Sequence, residues 1–197
     1  TFYQRDFKGL FLTFFRDPIS GLQSFLQNPP EKSFLHAMIL YGSVFVLYFL
    51  GTYLLVGDMR DYMSFSAFLS IALAPVLMML AISALSFVIK LVAGGANFKS
   101  ELLTGALCGL SLGLVVPIAL LFRLFGEGVN PLSLFQSPMA GGGLITVMVL
   151  YLFLMMVNVF QQSLKAAGIK DVLAWYLAPV SIMVAIYAGS SIAGNLF

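Results

Sequence analysis

The sequence predicts an all-α polytopic membrane protein, and three observations carry the prediction. Of the 197 residues, 60% are hydrophobic and only 9% charged, more apolar surface than a soluble globule of this length hides in its interior. Five apolar stretches, at about 33–56, 65–92, 102–125, 144–164 and 172–194, each reach the roughly 20 residues that cross a hydrocarbon core of about 30 Å. The basic residues are also asymmetric. Arg5, Lys8, Arg16, Lys32, Lys90, Lys99, Lys165 and Lys170 fall on one side of the five crossings, and only Arg60 and Arg123 on the other. Lys and Arg near span ends are retained on the cytoplasmic side, so the N-terminus is expected inside, the C-terminus outside, and the chain in the cytoplasmic membrane.

Five crossings leave little else. Residues 1–32 are expected to form a cytoplasmic arm of two short helices, and residues 33–197 the transmembrane domain. In the arm, Phe7, Leu10, Phe11 and Phe14 recur at helical spacing while Arg5, Lys8 and Arg16 supply charge, the pattern of an amphipathic helix lying on the membrane surface. The same aromatic stripe suits a membrane anchor or a docking surface for a cytoplasmic partner, and the sequence leaves both open. Asp17 and Pro18 suit the start of a second helix, with Ile19, Leu22 and Leu26 as its apolar face. Asn28, Pro29, Pro30 and Glu31 repeat the device ahead of the first span. The arm carries charges throughout and shows no short apolar core followed by a small-residue cleavage site, so no cleavable signal peptide is expected.

Each span has its own features. His36 opens the first, where interfacial water is expected to satisfy it; with no second histidine, a metal site is not expected. Ser70, Ala74, Ala81 and Ala84 make part of the second span small. In the third, Gly105, Gly109 and Gly113 share one face and let a neighbouring helix approach closely, with a large side chain at Gly109, the centre of the strip, expected to be among the most damaging changes and one at Gly113 milder. That strip reads as internal packing, with a contact between two copies of the chain as the alternative. Cys108, the single cysteine, reads as a packing residue in the same span. Asn158, Gln161 and Gln162 place three amides on one face of the fourth span, expected to bond across helices or, as the other reading, to line a polar cavity. Ala185, Gly189 and Ala193 form a small strip on the fifth. Pro75, Pro117 and Pro179 interrupt the second, third and fifth spans and are expected to bend them.

Two connections stand out. Gly94-Gly95 reads as a tight cytoplasmic turn, and the stretch 126–143, with Asn130, Pro131, Pro138 and Gly141-Gly142-Gly143, as turns in a re-entrant or interfacial link. All eight acidic residues fall in the arm, in connections or at span ends, which argues against a proton relay or an ion-coupled carrier. No glycine-rich phosphate loop, paired intramembrane acids, serine–histidine pair or zinc signature is found. No enzymatic activity, cofactor or nucleic-acid partner is expected.

The ordered combination of an amphipathic N-terminal helix, Asp17-Pro18 opening a short helix that ends near Asn28-Pro29, five spans, and Gly94-Gly95-Ala96-Asn97-Phe98 between the second and third resembles the Yip family of Ypt/Rab-interacting membrane proteins. The resemblance covers nearly the whole chain. It implies a non-enzymatic polytopic protein that works through partners: Rab-type GTPases in eukaryotic members, and envelope complexes, including ABC-type exporters, in prokaryotic ones. The long polar N-terminal region and the acidic, Leu, Tyr signature of the eukaryotic members have no counterpart here, so the expectation is a prokaryotic member that assembles with or modulates another membrane complex. A small permease or lipid-handling protein, with a pathway between the kinked helices, is the alternative.

Overall fold

The computed structural model describes residues 19–27, 32–57, 62–94, 97–125 and 143–196, and among them all regular structure is helical. Among the described residues there are six helices: α1 (Ser20–Gln27), α2 (Ser33–Val56), α3 (Phe65–Val92), α4 (Phe98–Phe125), α5 (Gly143–Ala166) and α6 (Asp171–Leu196). The last five are long and apolar enough to cross a membrane, at about 36–42 Å for 24 to 28 residues. The chain is thus an all-helical protein with the makings of a multi-pass membrane protein. Residues 1–18, with Phe7, Leu10, Phe11, Phe14 and the Asp17-Pro18 start, and the 126–142 link lie outside the described residues.

The ends of the helices follow from local chemistry. Ser64 caps α3, its Oγ accepting from Ala67 N at 3.2 Å. At the other end of α3, Gly94 takes a φ of 101°, a conformation an L side chain resists, and turns the chain towards α4. Asn97 then caps α4, Oδ1 accepting from Lys99 N at 3.1 Å, so the helix starts at Phe98 and not at Leu102 as hydropathy predicts. Between α5 and α6, Gly168 N donates to Lys165 O at 2.9 Å and Ile169 N to Leu164 O at 3.2 Å, a Schellman closure with the Ile169 and Leu164 side chains in one core cluster. Helices α5 and α6 each extend a little beyond the predicted 144–164 and 172–194. Lys32 occupies the cap position of α2 without a side-chain cap bond; Asn28, Pro29, Pro30 and Glu31, read as a cap ahead of it, lie outside the described residues.

Helix α4 is the centre of the bundle. Every residue from Glu101 to Gly109 is buried, because α2 and α3 pack on one flank and α5 on the other, while α6 closes against α3 and α5. One core cluster gathers Leu103, Leu107, Phe160, Leu164, Ile82 and Ile182; a second gathers Leu40, Val44, Met79, Leu102 and Ala106. Both draw on α3 and α4. Helix α1 packs on α5 through Leu22, which is buried, and through Phe25 and Leu26. Ile19, expected on that face, is exposed.

The small residues are where helices meet most closely. A Cβ on Gly105 would overlap Ser83 Oγ and the carbonyl oxygen of Met79 and come within 2.7 Å of Tyr41 Oη. On Gly109 it would meet the flexible end of Met79, and on Gly113 only ordinary neighbours, Leu47 and Val44, at 3.6 and 3.8 Å. The least forgiving of the three is Gly105, because backbone cannot yield as a methionine can. Gly189 of α6 sits against the backbone of Met78, 2.6 Å from its nitrogen to a would-be Cβ, with Ala185 and Ala193 buried beside it. Ser70 Oγ donates to Ala193 O across the same seam at 3.0 Å, whereas Ala84 is exposed and Ser83 and Ser86 are the small buried residues of that stretch.

The three prolines lie within continuous helices, α3, α4 and α6. Five residues before Pro117, Leu112 O accepts the Tyr48 hydroxyl at 2.8 Å, fastening α2 to α4. Gly105→Ala is expected to destabilise the bundle by about 1–3 kcal/mol, Gly109→Ala by less, and Gly113→Ala to be neutral or to gain up to about 1 kcal/mol from helix propensity. Thermal unfolding in mild detergent ranks them; equal Tm values for all three would mean the helices do not meet at this face.

Candidate functional site

Hydropathy treats Lys90 and Glu101 as flanking charges, yet both are buried, at 6% and 4% exposure. The cause is the short connection. With Gly94 and Asn97 turning the chain, the last turns of α3 run antiparallel to the first turns of α4, and residues eleven apart in sequence face one another. Ser86 and Lys90 are one helical turn apart on α3, Glu101 and Thr104 one turn apart on α4, and Ser163 reaches in from the last turns of α5.

The geometry uses every donor of the ammonium. Lys90 Nζ donates to Glu101 Oε1 at 2.9 Å, to Glu101 Oε2 at 2.7 Å and to Ser163 Oγ at 2.6 Å. Ser86 Oγ donates to Glu101 Oε2 at 2.6 Å, and Thr104 Oγ1 reaches the same oxygen at 3.4 Å. Thr104 Oγ1 and Ser163 Oγ are 2.8 Å apart. Since Ser163 accepts from Lys90 and Thr104 donates to Glu101, the serine hydrogen goes to Thr104. The result is a closed ring of hydrogen bonds linking three helices.

Such a cluster does more to define arrangement than to add stability. Desolvating two charges offsets most of their attraction, but removing one partner leaves a bare buried charge. The contrast with Lys165 and Asp171 is instructive: that pair, at 3.4 Å across the α5–α6 turn with Asp171 exposed, is worth at most about 1 kcal/mol. Both pairs lie at the same end of the bundle, the buried one about 3–5 Å inside the helix ends by residue rise.

The residues singled out from sequence fall elsewhere. Gly105, Gly109 and Gly113 face the α2–α3 side of α4 and are packing positions in the geometry above. Gln162 is buried, Gln161 and Asn158 half-buried. The bond that Gln162 Nε2 makes, to Asn158 Oδ1 at 3.2 Å, runs along α5, whereas the expectation was amides bonding across helices; Gln162 Oε1 has no hydrogen-bond partner among the described residues. Next to Gln162, Ser163 bonds across to Lys90 of α3. Cys108 is buried, its Sγ 3.6 Å from Met156 O. His36 is buried as well.

Sequence reasoning missed Lys90, Glu101, Ser86, Thr104 and Ser163. A usable signal was present: a lysine and a glutamate eleven residues apart, either side of a Gly-Gly turn, each with a hydroxyl three or four residues away on its own helix. Comparison of the chain with protein-family models, curated proteins and solved structures finds no match.

Lys90→Met and Glu101→Gln are each expected to destabilise the protein by about 3–5 kcal/mol, because each strands a buried charge or its donors, while the double variant recovers most of the loss. Unfolding of the four proteins in one detergent closes the cycle. Strictly additive losses would show that the two side chains are not coupled.

Proposed function

We propose that this chain is a non-enzymatic protein of the cytoplasmic membrane that acts by packing against another membrane protein, with an ABC-type exporter as the leading partner. The observation that carries the reading is the outer face of α2. It bears an open groove of about 690 Å³ lined by Ile39, Gly42, Ser43, Val46, Leu50 and Leu54 with Leu120 of α4, and space is open around Gly42. Small residues beside an apolar groove are what a transmembrane helix packs into, since in lipid the gain comes from close contact rather than from removal of water. The strongest polar groups, by contrast, are consumed inside the bundle by Lys90, Glu101 and their hydroxyl partners. This supports a protein whose business is at its surface more than one with a conduit between α3, α4 and α6.

The reading keeps the resemblance to prokaryotic Yip proteins, the cytoplasmic N-terminus and the interfacial arm as parts of one proposal. The basic bias supports the orientation, and the apolar stripe of Phe7, Leu10, Phe11 and Phe14 supports an arm at the membrane surface. Single cysteines at Lys99 and Asp61 in a Cys108→Ala background test the orientation: an impermeant thiol reagent is expected to label Asp61→Cys from outside and to spare Lys99→Cys. External labelling of Lys99→Cys overturns it.

The partner is tested by photo-crosslinking residues placed at Val46 on α2 and at Val180 on the exposed face of α6. A single stoichiometric protein captured from Val46 and not from Val180 is expected, and its recovery should survive Phe7→Ala, Phe11→Ala and Phe14→Ala together if the arm only anchors. Capture of lipid alone, or of the same proteins from both faces, would overturn docking on α2.

A further inference from the structure

A second groove lies on the α6 side of the bundle, between the end of α3 and the start of α6. Its volume is about 380 Å³, and Val88, Ile89, Val92, Ile169, Leu173 and Leu177 line it. Val88, Val92 and Leu173 are exposed, so it opens outward. From Ile169 to Leu177 it extends about 12 Å at the helical rise, whereas the groove on α2, from Ile39 to Leu54, extends about 22 Å. One leaflet contributes about half of a hydrocarbon core of about 30 Å. The longer groove suits a helix that crosses the membrane, and the shorter one suits a chain confined to one leaflet. The mouth of the shorter groove is positive. Lys170 is exposed there, next to the lining Ile169 and one turn from Leu173. Its neighbour Asp171 lies 3.4 Å from Lys165, and Lys170 makes no ion pair among the described residues, so two lysines against one aspartate leave one positive charge at this turn. Trp175 and Tyr176 stand exposed just beyond, their ring centroids 5.9 Å apart, and such side chains gather at the headgroup level.

We propose that the α3–α6 groove holds an acyl chain of an anionic phospholipid whose phosphate lies at Lys170. The lining is apolar and takes hydrocarbon through close contact, which is what stabilises association inside a bilayer. Hydrocarbon alone does not distinguish one phospholipid from another, because their chains are alike. The headgroup does. A zwitterionic lipid brings no net charge to the mouth of the groove, whereas an anionic one meets the uncompensated lysine there. Length disfavours a transmembrane helix as the occupant, since such a helix would leave most of its span beyond the groove. The site belongs to the leaflet at the end of the bundle where α3 ends and α6 begins, and it is independent of partner docking on α2.

Trp175 is the single tryptophan of the chain, so the full-length protein with Trp175→Phe accepts one reporter tryptophan elsewhere. The reporters are Val88→Trp and Val92→Trp on the rim of the groove, and Val147→Trp, exposed at the opposite end of the bundle. Each protein is reconstituted in phosphatidylcholine vesicles containing a small fraction of dibrominated phosphatidylglycerol or dibrominated phosphatidylcholine. Fluorescence quenching then gives the relative affinity of the two lipids at the reporter. At the rim the anionic lipid is expected to be favoured about fivefold, the effect of one basic residue at an anionic lipid surface. Lys170→Gln is expected to bring that ratio close to one. Lys32→Gln, at the start of α2, is expected to leave it unchanged, and Val147→Trp to show no preference. The proposal is overturned by equal quenching from the two lipids at both rim reporters, or by a preference that survives Lys170→Gln. It is also overturned by a preference that Lys32→Gln removes as fully, or that Val147→Trp shares, because lipid selection then belongs to the whole surface and not to the groove.

Discussion

A carboxylate that is to be buried in a helical bundle must find a positive charge and hydrogen-bond donors before the helices close, and the architecture of this protein is organised around that requirement at Glu101. The residue sits one turn into α4, the helix on which α2, α3 and α5 all pack, so anything that fixes Glu101 fixes the middle of the bundle. Lys90 and Ser86 bring the end of α3 to it, and Ser163, through Lys90 and Thr104, brings the end of α5. In hydrocarbon, apolar side chains do not discriminate well between one rotation of a helix and another, because lipid tails offer equivalent contact. A charged ring does discriminate. Turning α5 by one residue position, about 100°, would move Ser163 off the ammonium and leave a donor unmet.

The other half of α4 is held by shape. Gly105 admits Ser83, Tyr41 and the Met79 backbone, and the Tyr41 hydroxyl then lies 2.9 Å from Ser83 Oγ, a polar contact that exists only because the glycine lets α2, α3 and α4 converge. Tyr48 on Leu112 O repeats the arrangement two turns along α2. The glycine face and the ion-pair face thus divide the work: the first sets how near α2 and α3 stand, and the second sets the rotation of α3, α4 and α5. Gly189 against Met78 does for α6 what Gly105 does for α2.

Five spans were legible because their signal is an average over some 20 residues and survives any local error. The start of α4 was not, since Phe98-Lys99-Ser100-Glu101 is too polar for an apolar window and becomes helical through the Asn97 cap and the burial of Glu101 by α3. The glycine strip was legible as a periodicity, but the ranking of its members depends on whether the neighbour is a carbonyl oxygen or a methionine tip, which spacing cannot encode. The amides of Asn158 and Gln162 attract attention as polar residues in a span, whereas the inter-helix bond of Ser163 does not; serine and threonine are common in membrane helices, where they often bond their own backbone, and so raise no flag in a sequence.

Lys90 enters two arguments, one as a basic residue near a span end from which the orientation is proposed and one as a buried partner of Glu101. The two belong to different moments. Orientation is decided while individual spans enter the bilayer, and it responds to Lys and Arg near their ends with little regard for nearby acids. Helix association follows insertion, and only then do Ser163 and the buried face of α4 become available to the ammonium. Lys90 lies two residues from the end of α3, and a lysine stem is long enough to carry its charge either towards a helix end or, as here, inward to Glu101 and Ser163.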